Sequence, residues 1–399
     1  MNQNDKTQSI HKTVLLDGSL NVRNRALNLR SWLGEWMDQD KLLRARLSAL
    51  DPNVGADVQK GFQIASLRRR LRMRLAQQPI EISTEAAEKL KYSGLRDIMV
   101  SQYRQLSKQE RLLWLNNLLF ILTPDLRELD LKIENVRSYR SLGQQRNFLL
   151  GGHSGMGKTT YLDWYASNYI QSVEAEHNSV PIIKIDAPVN NVSAKPIFQR
   201  MILECGHIYT PADTDEMLLM KLILFIQKCK VEMIIVDEVE HIERHSLRRR
   251  FLEVSNLTNG TPIICASCEP LKWAEGDVEI QGRWNDYFEM KQYTGERLQS
   301  LLSYIELLLP FSSPSFLGLN ELIIGKKVEV GPAKLIQEFT GGILRDIMML
   351  LADASAKAIE EGEPALSPSI LERAWKDIQS RQIVDFLDIL KKHEIIERA

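Results

Sequence analysis

Residues Asn147 to Thr160 read NFLLGGHSGMGKTT, and the fold is decided there. Gly152, Gly157, Lys158 and Thr159 satisfy G-x-x-x-x-G-K-[ST], the spacing of a phosphate-binding loop. Such a loop wraps backbone N–H groups closely around phosphate oxygens, so glycine is needed wherever a Cβ would block the approach. Lys158 then reaches the β- and γ-phosphates, and the Thr159 hydroxyl binds Mg2+. The flanks agree. Phe148-Leu149-Leu150 is a short apolar strand, and Tyr161 to Ala166 continues as a helix whose N-terminus faces the anion. The competing reading is a glycine-rich turn with an incidental lysine.

Hydrolysis also needs a metal anchor and a group that aligns water. About eighty residues downstream, Val231 to His241 reads VEMIIVDEVEH, an apolar strand ending in two carboxylates. Asp237 is placed to hold Mg2+ through water, and Glu238 to polarise the attacking water. One further strand, Pro262 to Ala266, ends at Ser267. If it lies between the other two, Ser267 reaches the γ-phosphate or the water; otherwise it is a polar strand end. Arg283, just before the last strand, and Arg345, one turn into a helix behind Gly341-Gly342, are either surface pairs or cations that stabilise a transferring phosphoryl group, one in trans and one in cis.

Working outward, strand and helix alternate from Arg137, with strands expected at Asn147–Leu150, Val180–Ile185, Met233–Val236, Pro262–Ala266 and Tyr287–Met290. The first four are apolar or β-branched runs of the kind covered on both faces. The fold class is therefore α/β, a parallel five-stranded sheet flanked by helices. From Gly295 the strand signal fades, and Arg297–Leu309, Pro332–Phe339, Leu344–Glu361 and Ser367–Leu390 read as an all-helical module. Upstream, residues 1 to about 20 are polar, and the next hundred are mainly helical, closing on RLLWLNNLLFIL (111–122) as one buried helix. The organisation read from this is an extension over 1–130, a core over 131–293, a helical lid over 294–365 and a C-terminal helix or tail over 366–399.

The chain has 399 residues, 44% hydrophobic and 26% charged, the balance of a globular protein. It has no uninterrupted apolar run of membrane length, and MNQNDKTQSIHK lacks the apolar core of a signal peptide, so a cytoplasmic, membrane-free protein is expected. Four cysteines without framework spacing fit a reducing compartment. Net charge is −1 overall, but residues 1–125 carry 20 Lys and Arg against 13 Asp and Glu, which leaves the remainder acidic. Within that basic part, Arg68, Arg69, Arg70, Arg72 and Arg74 form either a phosphate-contacting patch or a solvated helix face. Arg244, His245, Arg248, Arg249 and Arg250 form a second dense run that faces either DNA, a neighbouring subunit or solvent.

Together GGHSGMGKTT, VEMIIVDEVEHI, PIICAS, the Arg283 turn and FTGGILRDIMMLLADAS resemble the AAA+ ATPases of transposition, the TnsC/TniB group of Tn7-like and CRISPR-associated elements, over residues 130 to 375. The resemblance implies an ATP- and Mg2+-dependent bacterial ATPase that polymerises on double-stranded DNA as a helical filament or ring. It would bridge a target-selection adaptor to a transposase, with hydrolysis driving disassembly. Carried over, Gly152, His153, Ser154, Gly155, Met156, Gly157, Lys158, Thr159 and Thr160 hold the phosphates; Asp237 and Thr159 hold the metal; Glu238 activates water. Ser267 takes the sensor position, Arg283 the finger from the next subunit, and Arg345 the second sensor. The sensor strand usually ends Gly-Thr-Asp or similar, and here reads Ala-Ser-Cys. The DNA-contacting loop after the second strand falls on Ala187 to Lys195, which points to Asn191 and Lys195. Two alternatives share the chemistry: an initiator or helicase-loader type of DNA ATPase, and a STAND-like signalling switch in which DNA has no part.

Overall fold

The computed structural model describes residues 80–81 and 100–381, apart from 102, 117–120, 140–145, 170–171, 174–177, 190–192, 208 and 325. Arg68, Arg69, Arg70 and Asn191, together with the helices read before residue 80, lie outside the described residues. In chain order the elements are α1 (Lys108–Asn116), α2 (Pro124–Tyr139), β1 (Phe148–Gly152), α3 (Lys158–Ser167), β2 (Ile182–Asp186), α4 (Lys195–Glu204) and α5 (Asp215–Lys228). There follow β3 (Met233–Asp237), α6 (His245–Leu257), β4 (Ile263–Ala266), α7 (Pro270–Ala274), α8 (Val278–Arg283) and β5 (Asp286–Met290). Beyond these come α9 (Gly295–Leu308), the strands β6 (Glu321–Ile324) and β7 (Lys327–Val330), α10 (Pro332–Thr340) and α11 (Leu344–Glu361), with helix again over 368–381.

The described residues fall into two units, one running from Asp125 to Lys291 and the other made of those described between 80 and 124 and from 292 onward. The first holds a parallel five-stranded sheet in the order β2-β3-β4-β1-β5. Its inner strands are buried along their whole length, as expected for a parallel sheet covered on both faces. Strand β4 sits between β3 and β1, so the strand that ends in Asp237 and the strand that ends in the glycine loop are both neighbours of the one leading to Ser267. This is the parallel five-stranded α/β sheet that the sequence predicts. Against the sheet pack Phe198, Met201 and Ile202 of α4, Leu218, Leu222 and Ile226 of α5, and Phe251 of α6, all buried. Each such side chain contributes about 1.5–3 kcal/mol. Thr214 caps α5 by accepting from the Met217 amide, with Asp215 and Glu216 in the first turn and Lys228 in the last, so charge and dipole agree.

A ladder of phenols fixes α3, the helix that carries the loop. Tyr161, Tyr165 and Tyr169 recur every four residues and so share one face. Tyr161 Oη donates to Asp130 at 3.1 Å, Tyr165 Oη donates to Glu134 at 2.7 Å, and Tyr169 Oη also donates to Glu134. Arg137 closes the set at 2.8 Å from Glu134 and stacks 4.3 Å over the Tyr169 ring. Burial, reinforced by these carboxylates, pushes the Tyr161 and Tyr165 phenols well above their usual range, so they stay neutral donors.

In the second unit, Ser107 and Glu110 form a reciprocal capping box at the start of α1, and α1 packs against α11. The single helix read over 111–122 is corrected: its described helical part ends at Asn116, and Ile121–Leu122 pairs in parallel with Ile80–Glu81. The module after Gly295 likewise gains an antiparallel hairpin, β6 with β7, in place of helix throughout. Its strands are four residues long and largely exposed, so no buried stripe marked them in the sequence.

Candidate functional site: a phosphate loop and its carboxylates

The loop's backbone explains its glycines. Gly152, Gly155 and Gly157 have φ of 139°, 83° and 90°, in the region L side chains avoid. A Cβ on Gly152 would lie 2.6 Å from the Met290 carbonyl oxygen, so sterics and dihedral exclude any other residue there. Gly157 serves as N-cap of α3 without a capping side chain, leaving the first amides of the helix to an anion. Met156 is buried beneath the loop, whereas His153, Ser154, Thr159 and Thr160 are exposed. The Lys158 ammonium is buried and donates to the carbonyls of Gly152 at 2.5 Å and His153 at 3.2 Å, and lies 3.8 Å from Cys268 Sγ. The lysine is thus already aimed across the loop.

Asp237 ends β3 and is 2% exposed. Its Oδ1 accepts from the Glu238 amide at 3.0 Å, while its buried Oδ2 accepts no hydrogen bond. A buried carboxylate oxygen without a donor is costly, and a divalent cation is the partner that suits it. The site therefore fits Mg2+, with Asp237 and the exposed Thr159 hydroxyl on the first turn of α3 as the groups to hold it. Glu238 takes a left-handed conformation, φ 58° and ψ 39°, which costs a non-glycine residue roughly 1–2 kcal/mol. Its carboxylate is half exposed and lies 3.8 Å from His241 Nε2.

Four residues around these carboxylates went unread in the sequence. Lys184, on β2 and almost fully buried, lies 2.8 Å from Asp163, 3.0 Å from Asp186 and 3.8 Å from Asp237 Oδ2. Arg200 donates to the Asp186 carbonyl at 2.6 Å; burial lowers its pKa, and attraction to Asp186 and Glu238 opposes that. A signal existed for Lys184, a lone charge inside the apolar run VPIIKI, and for Asp163, one helical turn beyond Thr159.

Ser267 is buried; its amide donates to the Leu150 carbonyl at 3.1 Å, and its Oγ accepts from the Glu269 amide at 3.0 Å. The end of β4 therefore does lie beside the loop. Cys265 is buried within β4, where burial raises its thiol pKa, and Cys268 is exposed. Arg283 is exposed at the end of α8, and its carbonyl accepts from the Asn147 amide at 3.1 Å. The Asn147 side chain in turn accepts from Ile263 at 2.8 Å and clamps β1 to β4. That contact puts Arg283 at the start of β1, with the glycine loop at the other end of a five-residue strand, roughly 15 Å away. Arg345, in the other unit, lies 3.2 Å from Asp346 and is well exposed.

The basic residues fare differently from one another. Lys195 Nζ donates to the Pro211 carbonyl at 2.7 Å. Arg248 is turned inward, donating to the carbonyls of Ile242, Glu243 and Trp273, so the structure gives it a loop-tying role and not an outward-facing one. Arg249 and His245 share Asp277, at 2.9 and 2.6 Å; the Arg249 hydrogen bond holds that carboxyl down at about 2. Arg250 pairs with Glu216 and Glu253, both at 2.6 Å. The dense run is thus largely neutralised by its own chain. Among the described residues no helix is long and apolar enough to cross a membrane.

Residues 111–271 match the family model described as the bacterial TniB protein. No curated protein matches the chain. Among solved structures, the ORC2 protein of Aeropyrum pernix (ADPNP-ADP complexes) is 14% identical, with 64% of this chain and 68% of that chain covered and a TM-score of 0.45. Cdc6p from Pyrobaculum aerophilum is 12% identical, with 64% and 67% covered and a TM-score of 0.46. The Aeropyrum pernix ORC1 protein in complex with DNA is 15% identical, with 64% and 68% covered and a TM-score of 0.39. Likeness of this order is too slight to inform function, and the fold rests on the strand order itself.

Proposed function

We propose that the chain, which matches the bacterial TniB family model over residues 111–271, is a transposition regulator ATPase whose nucleotide state controls its assembly on double-stranded DNA. The observation that carries this reading is the junction of a complete phosphate loop with an orphaned metal-binding oxygen on Asp237 and an exposed Glu238, inside a TniB match. Lys158 and the loop amides grip the triphosphate, and Glu238 takes the proton of the attacking water. Mg2+, held by Asp237 and Thr159, supplies neutralisation of the charge that develops on the phosphoryl oxygens. Ser267 lies beside the loop to sense the γ-phosphate.

Arg283, at the end of α8 beside the start of β1, stands a strand's length from its own loop, so in this scheme its charge acts on the phosphate of a neighbouring subunit, and Arg345 acts as second sensor. ATP at such a seam joins two subunits into a filament or ring, and hydrolysis releases them. In this scheme Lys195, Asn191, the exposed part of Arg249 and the arginines at 68–70 contact the duplex, while the assembled protein bridges a target-selection adaptor to a transposase in the bacterial cytoplasm.

The test is the ATPase rate with and without duplex DNA. Stimulation by duplex, falling as salt rises because phosphate contacts release counterions, is expected. A rate indifferent to DNA would move the chain to the signalling class of switches.

A further inference from the structure

The buried Lys184 cluster has no part in the hydrolytic scheme as drawn. Three carboxylates, Asp163 of α3 and Asp186 and Asp237 at the ends of β2 and β3, surround one ammonium that is 96% shielded from solvent. The ammonium engages Asp163 at 2.8 Å and Asp186 at 3.0 Å, and stands off from Asp237 Oδ2 at 3.8 Å. Its hydrogen bond goes to Asp186, Asp163 is held as a close ion pair, and the buried Oδ2 of Asp237 accepts no hydrogen bond. Resting on the nucleotide reading above, we propose that Lys184 is a positioning residue that makes cation capture at Asp237 conditional on the triphosphate.

The physics follows from charge. One fixed positive charge so close to Asp237 repels a dication through a low-dielectric interior, where such effects are strong. It also holds Asp163 and Asp186 away from the metal. The remaining oxygen on Asp237 is then one ligand of the six or more oxygens a divalent cation requires. The missing oxygens arrive with the nucleotide phosphates. Without the ammonium, three carboxylates within a few ångströms make an all-protein cation trap.

The experiment compares wild type, Lys184→Met, Lys184→Arg and the double variant Lys184→Met/Asp237→Asn. Each is titrated with Mn2+ alone and with Mn2+ plus ATP, followed by electron paramagnetic resonance, and melted with and without Mg2+ in nucleotide-free buffer. Binding of a fluorescent ATP analogue is measured in parallel. Wild type and Lys184→Arg are expected to take up Mn2+ only when ATP is present. Lys184→Met should bind Mn2+ at least tenfold more tightly than wild type without nucleotide and melt higher in Mg2+, and Asp237→Asn should remove both gains. If Lys184→Met does not fold without cation, its recovery by Mg2+ alone reads the same trap, and failure to recover counts against it. Tight Mn2+ uptake by nucleotide-free wild type, or a folded Lys184→Met as indifferent to cation as wild type, overturns the proposal. Failure of wild type to bind the ATP analogue would instead overturn the nucleotide reading, while cation capture by Lys184→Met would still report on the lysine.

Discussion

Glu238→Gln is expected to lower ATP turnover by about 10²–10⁴-fold, the range lost with a general base, while nucleotide affinity is retained. The substitution is nearly isosteric and exposed, so it removes the proton acceptor without disturbing the core. Glu238 takes a left-handed turn directly after β3, and its amide donates to Asp237, the residue placed to hold the metal in the proposed scheme. With hydrolysis stalled, subunits joined by ATP stay joined, and the variant should form long-lived assemblies on duplex DNA. Steady-state turnover and electron microscopy on the same preparation check both halves. A loss of less than about tenfold would remove Glu238 from the base role.

Lys158→Ala produces the opposite phenotype at the adjacent residue. Hydrogen bonds to charged groups contribute about 1.5–3 kcal/mol, so losing the ammonium weakens triphosphate binding by roughly 10- to 150-fold. Lys158 now donates to the carbonyls of Gly152 and His153 and to Cys268 Sγ, contacts that phosphate oxygens would replace with stronger, charge-assisted ones. Titration with a fluorescent ATP analogue measures the affinity, and thermal melting shows whether the fold is kept. No assembly on DNA should form at ATP concentrations that saturate wild type. Unchanged affinity would mean that the loop grips phosphate by its amides alone.

Much of the sheet was legible because four of its five strands are apolar or β-branched runs with no amphipathic ambiguity. Expected and observed strands coincide within two residues at Phe148–Gly152, Ile182–Asp186, Met233–Asp237, Ile263–Ala266 and Asp286–Met290. The placement of β4 between β3 and β1 was stated as a condition for Ser267 to approach the loop, and the sheet meets it. What escaped was information carried by pairing across space. Tyr161, Tyr165 and Tyr169 look like unremarkable helix residues until Asp130 and Glu134 face them. Lys184 becomes meaningful only when three carboxylates from three elements converge. The arginines of α6 read the same way: their density left open whether they face DNA, a neighbour or solvent, and only the fold shows Arg248 turned inward and Arg250 meeting Glu216 and Glu253. The hairpin at Glu321–Val330 escaped because short exposed strands bury no periodic stripe.

The proposed function stands on a triphosphate held between copies of the chain. Sedimentation of the wild-type protein with duplex DNA, in a slowly hydrolysed ATP analogue and separately in nucleotide-free buffer, tests that claim most directly. The account predicts large DNA-bound assemblies in the analogue and none without nucleotide. Protein that sediments as single copies under both conditions, or assembles equally in both, would contradict it.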